Sequence, residues 1–275
     1  MAFSAKNKLR QLMIIGIYFS PTGGTRAIID HACHTLSQHL GTSYRLQSYT
    51  LPAERENWQP IATNDIVVWA SPVYAGRVPN KTLDFIGQLM RGSGNKGIAI
   101  AVFGNRNYDN ALAEMCQLMA EADITPVAAA AIVSRHAFAP TEIATGRPNE
   151  HDYAEMDAWL THIDWEKTAQ VPGSTANGYY QPMKADGTPA NFLKAKPVLN
   201  ESRCMICAKC KRACPMGSIE ITYKGPEFHG LCIKCQACIV RCPEQALSFA
   251  DEDLESHVEM LRKNYATPSK ENKFF

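Results

Sequence analysis

The sequence predicts an α/β fold over residues 1–170, a doubly wound five-stranded parallel sheet, with a small α+β domain organised around cysteine behind it. Three observations predict this. Short apolar runs alternate with amphipathic helical patterns up to about residue 165. A stretch rich in proline and glycine follows at 171–196. Eight of the ten cysteines then fall between residues 204 and 242. Near-continuous apolar strands separated by helices read as a parallel sheet covered on both faces.

Strands are expected at Leu12–Phe19, Tyr44–Ser48, Ile66–Ser71, Gly97–Gly104 and Val127–Val133. Helical periodicity places helices at Thr25–Leu40, Lys81–Met90, Asn110–Ala122 and His151–Ile163. Pro172, Gly173, Gly178, Pro182, Gly187 and Pro189 give residues 171–196 the chemistry of a linker. A loop of that length marks a boundary, although Tyr179, Tyr180, Met183 and Phe192 are too apolar for a free tether. Residues 197–250 form the cysteine domain, and 251–275 a C-terminal helix and tail. Asp251–Asn264 reads as that helix, with acidic residues at its start where the dipole favours them. The tail Ala266–Phe275 is expected to fray and is given no role.

The chain has 275 residues, enough for one medium and one small domain. Its 28 Lys and Arg nearly balance 27 Asp and Glu, which argues against a nucleic-acid or anionic-membrane partner. Lys6, Lys8 and Arg10 before Leu12–Phe19 mimic a signal peptide, but the apolar run is short and a buried first strand explains it better. No stretch approaches the ~20 apolar residues of a membrane span. Eight thiolates meant for metal imply a reducing compartment, so the expectation is a cytoplasmic protein.

The cysteines form two copies of one pattern. The first is Cys204-x2-Cys207-x2-Cys210-x3-Cys214-Pro215, and the second is Cys232-x2-Cys235-x2-Cys238-x3-Cys242-Pro243. Structural zinc needs four ligands and usually separates two C-x2-C pairs. Disulfides suit secreted chains, and cysteines this dense would pair badly. The spacing resembles that of dicluster bacterial ferredoxins, whose fourth cysteine serves the other cluster. The resemblance covers about a fifth of the chain and implies two [4Fe-4S] clusters. One would be held by Cys204, Cys207, Cys210 and Cys242, the other by Cys232, Cys235, Cys238 and Cys214.

A second site is expected at the carboxyl ends of the strands, where open α/β sheets bind ligands. The first strand runs into Ser20-Pro21-Thr22-Gly23-Gly24-Thr25 at a helix N-terminus. Free N–H groups, the hydroxyls of Ser20, Thr22 and Thr25, and the small Gly23 and Gly24 suit a phosphate. No Gly-Lys-Ser/Thr follows and no G-x-G-x-x-G is present, so this is neither a Walker loop nor a dinucleotide fingerprint. It is similar to the FMN phosphate loop of flavodoxins. That resemblance, over about residues 10–165, implies a flavodoxin-like domain. It also implies that the loops after strands three and four hold the flavin ring. These are Pro72-Val73-Tyr74-Ala75-Gly76 and Gly104-Asn105-Arg106-Asn107-Tyr108-Asp109, with Tyr74 and Tyr108 as stacking candidates.

Taken whole, the chain resembles ferredoxin–flavodoxin fusion proteins, a flavodoxin-like sheet followed by an α+β dicluster ferredoxin domain. The resemblance implies an iron–sulfur flavoprotein relaying electrons between the clusters and FMN, with a ferredoxin or a reductase as redox partner. Residues 195–250 carry eight Lys or Arg against four Asp or Glu. With oxidised clusters and thiolates at about −2 each, the small domain is near neutral, which favours an internal relay over a diffusing shuttle. The alternatives are an electron carrier without a substrate of its own, a reductase using a pyridine nucleotide directly, and a docking module that has lost FMN. A homo-oligomer is compatible with all of them.

Among other residues, His136 is the one proton-donor candidate, and Arg135, Arg147 and Asp152 lie in a loop that could cover the flavin. His31, His34 and His39 lack a metal pattern. Cys33 and Cys116 read as buried and inert. No Ser-His-Asp set stands out in the sequence.

Overall fold

The computed structural model describes residues 12–140, 142–173 and 178–275. Lys6, Lys8, Arg10 and Thr141 lie outside the described residues.

A six-stranded sheet is ordered β10-β5-β4-β3-β1-β2. Its strands are β1 (Met13–Tyr18), β2 (Ser43–Ser48), β3 (Ile66–Pro72), β4 (Asn95–Phe103), β5 (Ile124–Val133) and β10 (Lys273–Phe274). The parallel part, 2-1-3-4-5, is the flavodoxin-like order. Helices α1 (Gly24–Leu40), α2 (Pro52–Glu56), α3 (Leu83–Leu89), α4 (Ala111–Glu121) and α5 (Glu150–Leu160) belong to this half. Side chains alternate across the sheet. Val67 and Trp69 of β3 join one core with Ile15, Ile17 and Met115. Val68 and Ala70 join the other with Ile28, Ile29 and Leu36. Cys33 is fully buried there and Cys116 is partly buried, and burial raises both thiol pKa values, Cys116 to about 11. His31 Nε2 bonds Asp157 at 2.7 Å, tying α1 to α5 rather than holding a metal.

The sixth strand corrects both the five-stranded expectation and the idle tail. Lys273 and Phe274 pair antiparallel with Ala131 and Ala130. Phe275 exchanges both backbone hydrogen bonds with Ala129 (2.8 and 2.9 Å). Phe274 packs in one core, 5.3 Å from the Trp159 ring, and Phe275 packs against the other. Alternation places the aromatic pair on opposite faces, so the final residues seal the β5 edge.

The cysteine half contains β6 (Val198–Leu199), α6 (Lys209–Ala213), β7 (Ile219–Thr222), β8 (Gly225–Phe228), α7 (Ala237–Val240) and β9 (Leu247–Ser248). β6 pairs antiparallel with β9, and β7 with β8. α8 (Glu252–Tyr265) is capped by Asp251, whose side chain accepts from Leu254 N. It packs Met260 and Leu261 on Ala139, Ile143 and Met183. The stretch expected as a linker is mostly packed. Tyr180 N donates to Ala75 O (2.8 Å), Lys184 N to Thr188 O (2.8 Å), and Met183 O accepts from His257 Nδ1 (2.8 Å). No helix among the described residues is long and apolar enough to cross a membrane.

Candidate functional site

All ten cysteines are free of disulfides. Cys204, Cys207, Cys210 and Cys242 line one cavity with Ile221 and Leu247. Cys214, Cys232, Cys235 and Cys238 line another with Ile219, Phe228 and Ile233. Cys214 and Cys242 have each crossed to the other run's pocket. The two runs share one backbone shape. Ile206 and Ala208 around Cys207 have φ of 53° and 59°, and Lys234 and Gln236 around Cys235 have 56° and 66°. A β-branched residue such as Ile206 is an outlier in that region, and strain of this kind collects at functional sites.

The turn directs amides at sulfur. Ser218 N donates to Cys214 Sγ (3.4 Å) and Ala246 N to Cys242 Sγ (3.2 Å). Backbone N–H groups of Lys211, Lys234 and Ala237 favour the thiolates of Cys210, Cys232 and Cys235. Burial, aided by the neighbouring Cys214 and Cys232, pushes the Cys235 thiol up to about 12, and Cys238 is raised for the same reasons. Four soft sulfur donors with N–H bonds aimed at them fit an iron–sulfur cube.

The loops after β1, β3 and β4 meet at one edge of the sheet, at the strands' carboxyl ends. In the first, Gly23 has φ 97° and precedes α1, whose first turn has no acidic residue. Ser20 Oγ accepts from Arg26 N (3.0 Å), and Ser20 N donates to Thr50 Oγ1 (2.8 Å). A Cβ at Gly24 would sit 3.2 Å from Ser134 Oγ. Thr25 is buried, and Thr22 and Gly23 are partly exposed. Positive potential and helix N–H groups make this end suited to an anion.

The second loop closes as a hairpin turn. Tyr74 N donates to Arg77 O (2.9 Å) and Arg77 N to Tyr74 O (3.1 Å). Ala75 and Gly76 have φ of 47° and 78°, the pattern of a type I′ turn. Val73 N is spent on Val102 O (2.9 Å), so it extends the β4 ladder and does not reach a ligand. Pro72 ends β3. A Cβ at Gly76 would meet Asp109 Oδ2 at 2.2 Å, and Gly76 O accepts from Asn110 N (3.0 Å). The second and third loops are thus interlocked.

In the third loop, Asp109 pairs with Arg106, whose guanidinium lies 3.9 Å over the Tyr180 ring. Asn107 is exposed and accepts from Tyr108 N (2.8 Å). The Tyr108 ring stands edge-on to Phe103 at 5.5 Å and packs on the core. Asn105 faces away from the site. It is fully buried and bonds Tyr265 O (2.7 Å), Pro268 O (3.2 Å) and Lys270 N (2.6 Å). A Cβ at Gly104 would strike the His136 ring at 2.5 Å.

His136 Nδ1 accepts from Phe138 N (3.1 Å), which leaves the ring proton on Nε2. Burial, with His257 and Arg106 nearby, lowers its pKa to about 4. Arg147 is spent on Asp152, Ser269 Oγ and Lys270 O, so both members of that pair hold the tail rather than cover the loops.

The two sites touch. Ile233, inside the second cysteine run, packs against the core that contains Trp69 and Val78. Burial, and then the charges of Cys235 and Cys232, raise the Tyr74 hydroxyl well above its ordinary pKa. Arg55 Nη2 donates to Pro215 O (2.8 Å) and Thr50 O (2.7 Å), its Nε donates to Tyr49 O (2.8 Å), and its guanidinium lies 3.9 Å over Phe85. Sequence reasoning missed Thr50, Ser134 and Arg55, and marked Tyr180 only as too apolar for a free tether. The first two stand just past the ends of β2 and β5, where the same strand-end rule applies. Nothing local marks Arg55.

No protein-family model matches the chain. An uncharacterised protein of Methanocaldococcus jannaschii is 41% identical over 61 residues, 22% of this chain and 24% of that protein. The match thus spans about a quarter of that relative. Among solved structures, a flavodoxin from the domain Archaea shares 16% identity over 55% of this chain and 96% of its own, with a TM-score of 0.38. A Streptococcus pneumoniae TIGR4 flavodoxin shares 14% over 55% and 96%, TM-score 0.39. A flavodiiron core from Synechocystis sp. PCC6803 shares 15% over 55% and 34%, TM-score 0.41. At these values the functional reading rests on this chain's own residues.

Proposed function

We propose an iron–sulfur flavoprotein that relays electrons between two [4Fe-4S] clusters and FMN, an oxidoreductase fed by a low-potential redox protein. The observation that carries it is the crossed sorting of eight cysteines into two four-sulfur pockets, the second of them joined to the sheet's core through Ile233. When bound, the cubes would carry single electrons and the flavin one or two. The chain's part is binding and placement. Thr22–Thr25 would receive the phosphate at the α1 N-terminus. The Tyr74–Gly76 turn and the Gly104–Asp109 loop would hold the ring, through Tyr74 and backbone groups rather than through Asn105.

Iron and FMN analysis after anaerobic purification tests this. About eight iron and one FMN per chain are expected. Cys242→Ser should remove the same cluster as Cys204→Ser by electron paramagnetic resonance, and Cys214→Ser the same one as Cys232→Ser. Loss of Cys242 with the Cys232 cluster would sink the crossed arrangement. A carrier without its own substrate is the second reading. His136 favours it, because a histidine with pKa about 4 holds no imidazolium proton to give at neutral pH.

A further inference from the structure

The two pockets differ in where they face. The pocket lined by Cys232, Cys235 and Cys238 is joined to the sheet half through Ile233 and through the Arg55–Pro215 bond. Among the described residues, no hydrogen bond or ion pair joins 199–213 to the sheet half; their bonds run to Ala246, Leu247, Cys214 and one another. The Cys204–Cys210 run is instead presented outward. Its tip carries Met205 at 62% exposure and Ile206 at 43%. Arg203, Lys209, Lys211 and Arg212 lie within seven residues of that tip in sequence, all exposed. Among the described residues none of the four makes a salt bridge, and the Arg212 guanidinium donates to the Cys207 carbonyl (3.2 Å). The nearest acidic residues in sequence are Glu201 and Glu220, and Glu244 lines the same cavity. The chain as a whole is only +1, so this positive band is a local feature.

We propose that the Cys204–Cys210 face is the docking surface for an acidic one-electron carrier protein, and that the Cys232–Cys238 side is closed to such partners. The inference rests on the relay reading above and adds the partner's chemistry and its point of attachment. A small apolar centre inside a charged rim is the anatomy of a transient interface. Unpaired cations on the rim steer an acidic partner and fix its register. Electron exchange falls steeply with distance, so a carrier gains by meeting the pocket that faces outward. The carrier gives one electron to this chain and is itself oxidised by one, with no bond made or broken.

The test uses the full chain with its iron content measured first. An acidic two-cluster bacterial ferredoxin is the probe, and its affinity is read by calorimetry at low and high salt. Zero-length carbodiimide cross-links are mapped by mass spectrometry. Binding should weaken about tenfold or more from low to high salt, and by a similar factor in Arg203→Glu/Lys209→Glu at unchanged iron content. Lys263→Glu on α8 should bind normally. Cross-links should fall on Lys209 and Lys211. Equal binding by the charge-reversed chain, or links at lysines of the sheet half or to a second copy of this chain, would overturn the proposal. A chain that takes up no iron would instead remove the relay reading, and the docking face with it.

Discussion

Replacing Asn105 with alanine separates a ligand role from a structural one. Its side chain makes three bonds to the returning tail: to Tyr265 O, Pro268 O and Lys270 N. Each is worth about 1 kcal/mol, and all three partners lose a buried mate. Asn105 also has φ 64°, where asparagine is tolerated and alanine costs about 1 kcal/mol. Together the change removes about 4 kcal/mol from the local stability of the tail, roughly a thousandfold in its opening constant. Hydrogen exchange on the holoprotein reads this directly, because local opening is resolved residue by residue. The amides of Lys270, Phe275 and Ala129 should exchange faster by up to that factor, limited by global unfolding. Asn105→Gly should recover the backbone part only. FMN affinity should change far less than tail exchange. If Asn105→Ala left the tail amides protected and lost FMN, the side chain would face the flavin and the present geometry would be wrong.

Three further outcomes follow from the same contacts. His136 has a folded pKa of about 4, below the usual 6.5, so between these values the unfolded chain binds a proton that the folded chain refuses. Its contribution, at most about 3 kcal/mol, is complete above pH 6.5 and falls as pH drops toward 4; a histidine titration midpoint near 6.5 by NMR would refute it. Arg55→Met should free the Pro215 corner at a cost of about 2–4 kcal/mol, seen as faster exchange at Cys214–Ser218, and Arg55→Lys should rescue little because the fork geometry is lost. Gly76→Ala should push Asp109 off Arg106 and weaken FMN retention on a desalting column; unchanged retention would show that the two loops act separately.

Much of this was legible in the sequence because the signals were local. The strands β1, β3 and β4 are short apolar runs, and they appear where periodicity puts them. The cysteine spacing points to a crossed grouping only through its resemblance to dicluster ferredoxins, and the two cavities are lined by crossed sets of cysteines. What could not be read depends on partners far along the chain. Asn105 sits in the loop after β4, yet its side-chain bonds run to residues 265–270. The tail looked polar and idle because its strand is two residues long and pairs only with β5. Residues 178–192 carry turn chemistry, but Tyr180 and Met183 give them places to dock. Composition reports local preference; it does not report which surface a segment returns to.

That return would fix the geometry of the proposed relay. A domain hung on a flexible linker would sample many distances from the sheet, at an effective concentration set by linker length. Here the chain leaves the sheet through a segment pinned at Ala75 and comes back through α8 and β10, so the cysteine half is held at both ends. Each run also lends its fourth cysteine to the other pocket, so neither pocket can form unless residues 204–242 fold as one body. The Arg55–Pro215 bond then ties that body to the loop that also buttresses Ser20 through Thr50. Spacing between the outer pocket, the inner pocket and the strand ends is thereby a property of the folded chain, not of a diffusive encounter. In the proposed relay the one step left to diffusion would be the arrival of a partner at the Cys204–Cys210 face, where, among the described residues, Arg203, Lys209, Lys211 and Arg212 make no salt bridge.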